Sequence, residues 1–289
     1  KRGRGDVIVI PCADPPTCTG GVAYTVAAVL SQTQLVLTQP YQGATQSGLS
    51  AMVRRQLASP TAWEDCIDGP GGTACPYFPP STNSLVTDDR EEVGILYNDG
   101  ASHPGGFLID GSVTDASHGI TLTVDPGHRH SGVPHSSAPY THAVVQNEAS
   151  GVPAIDVRDD HVTIEWLDVY NRRGTNGIAI SNLTAGSNEV VVRQTLVRGG
   201  SGQGIWVNDA DTVATISNNV LASLGSHGIA LGPLGGWSAG SRIQILNNTV
   251  APNNVGASSY HSTVSSPSVL LRNNIAYNRG TGDSGSGFD

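Results

Sequence analysis

Short apolar strands that return at intervals of roughly 25 residues constrain this chain more than any other feature. One set reads Ala154-Ile155-Asp156-Val157, Gly177-Ile178-Ala179-Ile180, Gly204-Ile205-Trp206-Val207 and Gly228-Ile229-Ala230-Leu231, with steps of 23, 27 and 24 residues between the leading isoleucines. A second reads Val162-Thr163-Ile164, Val190-Val191-Val192, Val213-Ala214-Thr215-Ile216, Arg242-Ile243-Gln244-Ile245 and Val269-Leu270-Leu271, whose last apolar residues step by 28, 24, 29 and 26. Strands this short bury their apolar rows by stacking in parallel, each coil covering the next. The pattern predicts an all-β fold, a right-handed single-stranded parallel β-helix, regular from about Ala154 to Tyr277 and looser back to about Glu92.

Asparagine pairs follow the second set at Asn218-Asn219, Asn247-Asn248 and Asn273-Asn274. Asn tolerates the left-handed conformation of a sharp corner, and an inward amide can bond the coils above and below it. Asn219, Asn248 and Asn274 are therefore expected to form a structural ladder.

Ahead of the solenoid the pattern changes. Residues 1–48 hold three strands, Asp6–Ile10, Ala23–Val29 and Gln34–Leu37. They read as a small β module capping an end that would otherwise expose apolar core and strand edges. Residues 49–90 read as a connector with helices at Leu49–Leu57 and Thr61–Ile67. The second helix is expected to open with Thr61 as N-cap and Glu64 completing a capping box. Residues 91–289 form the β-helix, beginning with strands at Glu92–Tyr97, Phe107–Ile109 and Ile120–Val124; the His- and Pro-rich stretch 125–142 reads as a surface loop.

Composition narrows the function classes. The chain has 289 residues, only 13% of them charged and 5% aromatic, with 36 glycines, as a fold of short strands and tight turns requires. Its net charge is −9 and Lys1 is its one lysine, which argues against nucleic acid as a partner. No apolar run is long enough to insert in a membrane. Cys12, Cys18, Cys66 and Cys75 form two close pairs around Pro/Gly-rich loops, and the simplest pairing is Cys12–Cys18 with Cys66–Cys75, one of three connectivities. Disulfides imply an extracellular, secreted setting. Both ends look trimmed, as in a piece of a longer protein.

Residues 90–280 resemble the pectate-lyase-like superfamily of β-helix proteins. Gly225-Ser226-His227-Gly228-Ile229-Ala230-Leu231-Gly232-Pro233-Leu234-Gly235 resembles the Gly-His-Gly segment of polygalacturonases. That resemblance implies an Asn-Thr-Asp triplet and an Asp-Asp pair on the two preceding coils, supplying the general acid and the base that activates water. This chain reads Gly174-Thr175-Asn176-Gly177 and Ser201-Gly202-Gln203-Gly204 there, and it lacks the family's Arg-Ile-Lys clamp. Asn176 and Gln203 can neither protonate a leaving group nor accept a proton, so His227 marks a shared coil geometry rather than a hydrolase centre.

Other candidates are weaker. Asp156, Arg158, Asp159, Asp160, His161 and Glu165 cluster in sequence. A lyase would use such carboxylates to hold Ca²⁺ and an Arg such as Arg158, Arg193 or Arg198 to take a proton; a solvated turn with local ion pairs is the plainer reading. His128 and His130 share one face of an extended segment, as a metal would require, but the Pro- and Ser-rich surroundings read as loop. Trp206 and Trp237 are candidate stacking surfaces for sugar rings.

These residues predict a secreted, non-catalytic β-helix acting as a surface scaffold, fibre-forming or glycan-binding, whose partners are a polysaccharide or glycan surface or copies of itself. No metal site and no cofactor are expected, Ca²⁺ being the one ion the carboxylates suit. The alternative is a lyase or glycoside hydrolase acting on an acidic polysaccharide.

Overall fold

The computed structural model describes residues 6–10, 22–31, 34–42, 52–54, 57–68, 80–134, 138–181, 188–222, 224–232, 237–251, 260–262 and 268–277. From Glu92 onward each coil contributes a strand to each of three parallel sheets, so that six- and seven-stranded stacks form a parallel β-helix.

The first sheet stacks Phe107–Ile109, Ile155–Val157, Ile178–Ile180, Ile205–Val207, Ile229–Leu231 and Tyr260–Ser262. The second stacks Glu92–Leu96, Ile120–Val124, Val162–Glu165, Asn188–Arg193, Thr212–Ser217, Arg242–Leu246 and Ser268–Arg272. These two contain the strand sets read from the sequence. The third sheet, His103–Pro104, Val144–Asn147, Asp168–Asn171, Leu196–Arg198, Val220–Ala222, Thr249–Ala251 and Ile275–Ala276, was not anticipated. Only one inward residue per strand marks it, the row Val145, Val169, Val197, Leu221 and Val250. A single apolar residue leaves no period-2 signal.

The core is made of registered rows. Ile155, Ile178, Ile205 and Ile229 stack in the first sheet, and Ile164, Val192, Ile216 and Ile245 in the second, all at most 2% exposed. Each apolar row is shielded by the coils on both sides, which is how a thin solenoid excludes water.

The corner between the second and third sheets carries the expected ladder. Trp166, Gln194, Asn218, Asn247 and Asn273 all take positive φ of 53° to 62° there. The following residue turns inward. Asn219 Oδ1 accepts from Thr195 N at 2.9 Å. Asn248 Oδ1 accepts from Asn219 N at 2.9 Å and Nδ2 at 3.0 Å, and Asn274 Oδ1 accepts from Asn248 N and Nδ2 at the same distances. Each Nδ2 also donates one coil down, to Val192 O, Ile216 O and Ile245 O.

The N-terminal module is a small antiparallel sheet. Its strands β1 (Val7–Ile10), β2 (Val22–Ser31), β3 (Gln34–Leu37) and β4 (Met52–Arg54) lie in the order β3-β2-β1-β4. β4 corrects the helix expected at Leu49–Leu57. Without it β1 would be an open sheet edge, and pairing with that edge overrides local helix propensity.

The other helix exists as Pro60–Ile67 (α1), but Ser59 is its N-cap in place of Thr61, accepting from Ala62 N at 3.1 Å. Pro60 suits the first helical position because its missing N–H would be unpaired anyway. α1 closes the first coil. Trp63, Ile67 and Leu85 join the core, and a Cβ on Gly94 would lie 2.7 Å from the Trp63 ring, so glycine there lets the indole seat against the strand. Cys66, on the buried side of α1, is disulfide-bonded; the other three cysteines lie outside the described residues. No helix among the described residues is long and apolar enough to cross a membrane.

Candidate functional site

Three clusters hold the chemistry-bearing side chains. The first lies on the outer face of the third sheet, where residues 125–134 and 138–142 pack down. Val144 and Leu196 are outward-facing yet fully buried because this segment covers them. At its centre is Asp168, also fully buried. Arg198 donates to it twice, Nε to Oδ1 at 2.9 Å and Nη2 to Oδ2 at 3.1 Å, and His142 Nε2 donates to Oδ2 at 2.8 Å. The Arg198 guanidinium lies 4.0 Å over the Tyr170 ring. With both of its oxygens engaged, one guanidinium and one imidazole from the neighbouring coils hold this aspartate as a pin between coils.

His130 belongs to the same cover. Its Nε2 faces the Gln194 carbonyl at 2.9 Å, which can only accept, and its Nδ1 accepts from Gly132 N at 3.1 Å. These bonds select the neutral tautomer protonated on Nε2, and burial lowers the imidazole's pKa in the same direction. His128 goes elsewhere, its Nδ1 accepting from Asn98 N at 2.9 Å. The shared face expected of these two imidazoles is therefore not formed. The stretch expected to be a surface loop is anchored, with Arg129 lying 4.5 Å over the Trp166 ring.

The second cluster lies on the outer face of the first sheet, where Leu108, Asp156, Ala179, Trp206 and Ala230 stand in register. Trp206 is half-exposed between two buried alanines, as its alternation predicts. Trp237 does not continue that row; it packs against the core with a buried indole nitrogen that has no hydrogen-bond partner. Asp156 accepts from Ser181 Oγ at 2.6 Å and from Arg158 Nε and Nη2 at 3.1 and 2.8 Å.

The sequence neighbours Arg158, Asp159 and Asp160 diverge. Arg158 faces Asp156, with its Nη1 3.7 Å from Asp110. Asp159 points toward α1. Asp160 sits at the turn with a buried, unpartnered Oδ1 and a carboxyl raised by burial. His227 is half-exposed just before Ile229–Leu231, and its carbonyl accepts from Gly204 N at 2.9 Å. Asn176 is 4% exposed, and its Oδ1 accepts from Gln203 N at 3.1 Å. It is a link between coils.

The third cluster was not foreseen. Glu64, expected to cap its own helix, turns inward from α1, and its Oε1 accepts from Asp110 N at 2.8 Å. Asp159 reaches the same turn from the other side, its Oδ1 accepting from Gly111 N and Ser112 N at 2.9 and 3.2 Å. Asp68 accepts from Ser112 Oγ at 3.1 Å. One oxygen from each of Glu64, Asp68 and Asp159 lies within 4.8 Å of the others. Burial, with the neighbouring carboxylates adding to it, pushes Glu64 up to about 9 and Asp159 up to about 7, and burial also raises Asp68. One signal existed in the sequence: Glu64 and Asp68 are like charges at i,i+4, which a helix disfavours without a reason.

A shallow groove of about 300 Å³ also crosses the outer face of the second sheet, with Glu91, Glu92, Thr121, His161, Thr163 and Glu189 among its walls. No protein-family model, curated protein or solved structure matches this chain.

Proposed function

We propose that this chain is an extracellular β-helix of the pectate-lyase-like type that serves as a structural scaffold, holding a glycan-contacting surface rather than an active site. The observation that carries this reading is where its charges go. Asp168 with Arg198, Glu165 with Arg193, and Glu148 with Arg172 each bridge one coil to the next. These carboxylates and guanidinium groups are spent as rungs. Asn176, in one of the resembled family's carboxylate positions, also links coils, its Oδ1 accepting from the backbone amide of Gln203.

The groove adds a constraint on the glycan. Glu91, Glu92 and Glu189 on its walls repel a uronate chain, so a neutral glycan suits this surface better than an acidic one. On a separate face, the outer side of the first sheet, Trp206 stands between two alanines and offers an apolar ring face to a sugar.

The test has two arms. Incubation with polygalacturonate and alginate is expected to release neither reducing sugar nor the ultraviolet absorbance of unsaturated uronates. A glycan array is expected to give signal on neutral glycans that falls in Trp206→Ala. Product formation that disappears in Arg158→Ala or His227→Ala would overturn the scaffold reading in favour of a lyase or hydrolase.

A further inference from the structure

We infer that Glu64, Asp68 and Asp159 form a calcium site that clamps α1 to the turn at residues 110–112 and to the coil carrying Asp159. The donor set is three carboxylates from two distant stretches of chain, with one oxygen of each inside a 4.8 Å sphere of contact. Glu64 and Asp159 are each 5% exposed.

A second observation is independent of that grouping. Glu64 Oε1 is satisfied by Asp110 N, yet its Oε2 is buried with no hydrogen-bond partner. A carboxylate oxygen removed from water without a donor is costly, and either a proton or a cation relieves the cost. The basic side chains nearby are committed. Arg90 donates to the carbonyls of Ile67 and Thr82 and pairs with Asp88 and Glu92; Arg158 pairs with Asp156.

The ligand chemistry selects the ion. All three donors are hard oxygens, with no nitrogen or sulfur to favour zinc or copper. Ca²⁺ accepts irregular shells of oxygens, mono- or bidentate carboxylates included, whereas Mg²⁺ demands a near-ideal octahedron, so carboxylates drawn from a helix and a separate turn suit calcium. Water and backbone oxygens would complete the shell.

The site explains why acidic residues gather where a cap meets a solenoid. Glu64 and Asp68 come from α1, and Asp159 from the turn after Ile155–Val157. A single ion joins them. The inference does not depend on whether the solenoid contacts a glycan.

The experiment uses the full chain, freed of metal by a chelator and dialysis. Titration calorimetry with CaCl₂ is expected to give one saturable site. Thermal melts are expected to rise by about 5 °C or more in excess Ca²⁺ and by less in Mg²⁺. Glu64→Gln keeps the acceptor for Asp110 N, and Asp68→Asn lies at a more open position, so either variant decides the matter if the other does not fold. Each is expected to weaken calcium binding by about tenfold or more and to lose most of the thermal shift. Absence of heat and an unchanged melting temperature in the parent chain would overturn the inference. So would calcium binding that survives intact in whichever variants fold.

Discussion

Asn248 makes every bond that its corner needs. Its Nδ2 donates to Ile216 O and to Asn274 Oδ1, its Oδ1 accepts from Asn219, and the residue is fully buried. Asn248→Leu keeps the branching at Cγ but leaves the Ile216 carbonyl and the Asn219 amide without partners. At about 1–3 kcal/mol for each such group, a loss of about 2–5 kcal/mol is expected. Thermal unfolding of the variant measures it; an unchanged melting temperature would remove the ladder from the account of stability. The residue's role was legible because the Asn pair repeats three times within the chain. The equivalent corners earlier in the solenoid, at Trp166-Leu167 and Gln194-Thr195, were illegible, since they take the same backbone conformation with different side chains. Asn147 and Asn171 were missed for another reason. They form a second buried pair, Asn147 Nδ2 donating to Asn171 Oδ1 at 3.1 Å, at strand ends whose strands themselves left little pattern.

At the scale of elements, α1 shows local sequence and tertiary need pulling apart. Its eight residues contain one tryptophan and two acidic side chains, and which of these faced inward could not be read from spacing. The solenoid decides it. The first coil presents Gly94, whose bare backbone admits the Trp63 ring, and the turn at 110–112 presents amide hydrogens that draw Glu64 and Asp159 inward. Gly94→Ala would bring a methyl to within 2.7 Å of the Trp63 ring, closer than packed atoms tolerate. Displacement of α1 is expected, with a loss of about 1–3 kcal/mol in chemical denaturation and a change in tryptophan emission as Trp63 leaves its seat. Unaltered stability and emission would mean that the helix does not depend on this contact. The third sheet belongs to the same scale: its strands contribute at most one inward apolar residue each, so only the stacking of coils reveals it.

Across the whole molecule the two ends of the solenoid differ. At the start, α1 covers the core. At the last coil, Val269 and Leu271 continue the inward rows of Ile243 and Ile245 but are 37% and 44% exposed, whereas Ile243 and Ile245 are at most 2%. Stability in a stacked array is a sum over neighbouring coils, and a coil whose inward rows are this exposed adds less burial to that sum. Amide exchange of this chain is therefore expected to be fastest, among its second-sheet strands from Val162 on, in Ser268–Arg272, and slowest in Asn188–Arg193 and Thr212–Ser217. Uniform protection along that sheet would show that the coils unfold as one unit.

The sequence by itself determined the stacking. Apolar residues at a period of two within short strands, recurring once per coil, have no other economical way to leave water, and the chain says so in its own repetition. It also determined the corner amides, because a ladder needs the same residue at the same place in each coil. Only the tertiary structure decided which polar side chains meet. Asp168 finds Arg198 and His142, and Glu64 finds Asp159, across separations in sequence that no local pattern spans. Burial then sets their chemistry: a carboxylate against a guanidinium becomes a rung between coils, and carboxylates gathered beneath a helix hold their protons to higher pH.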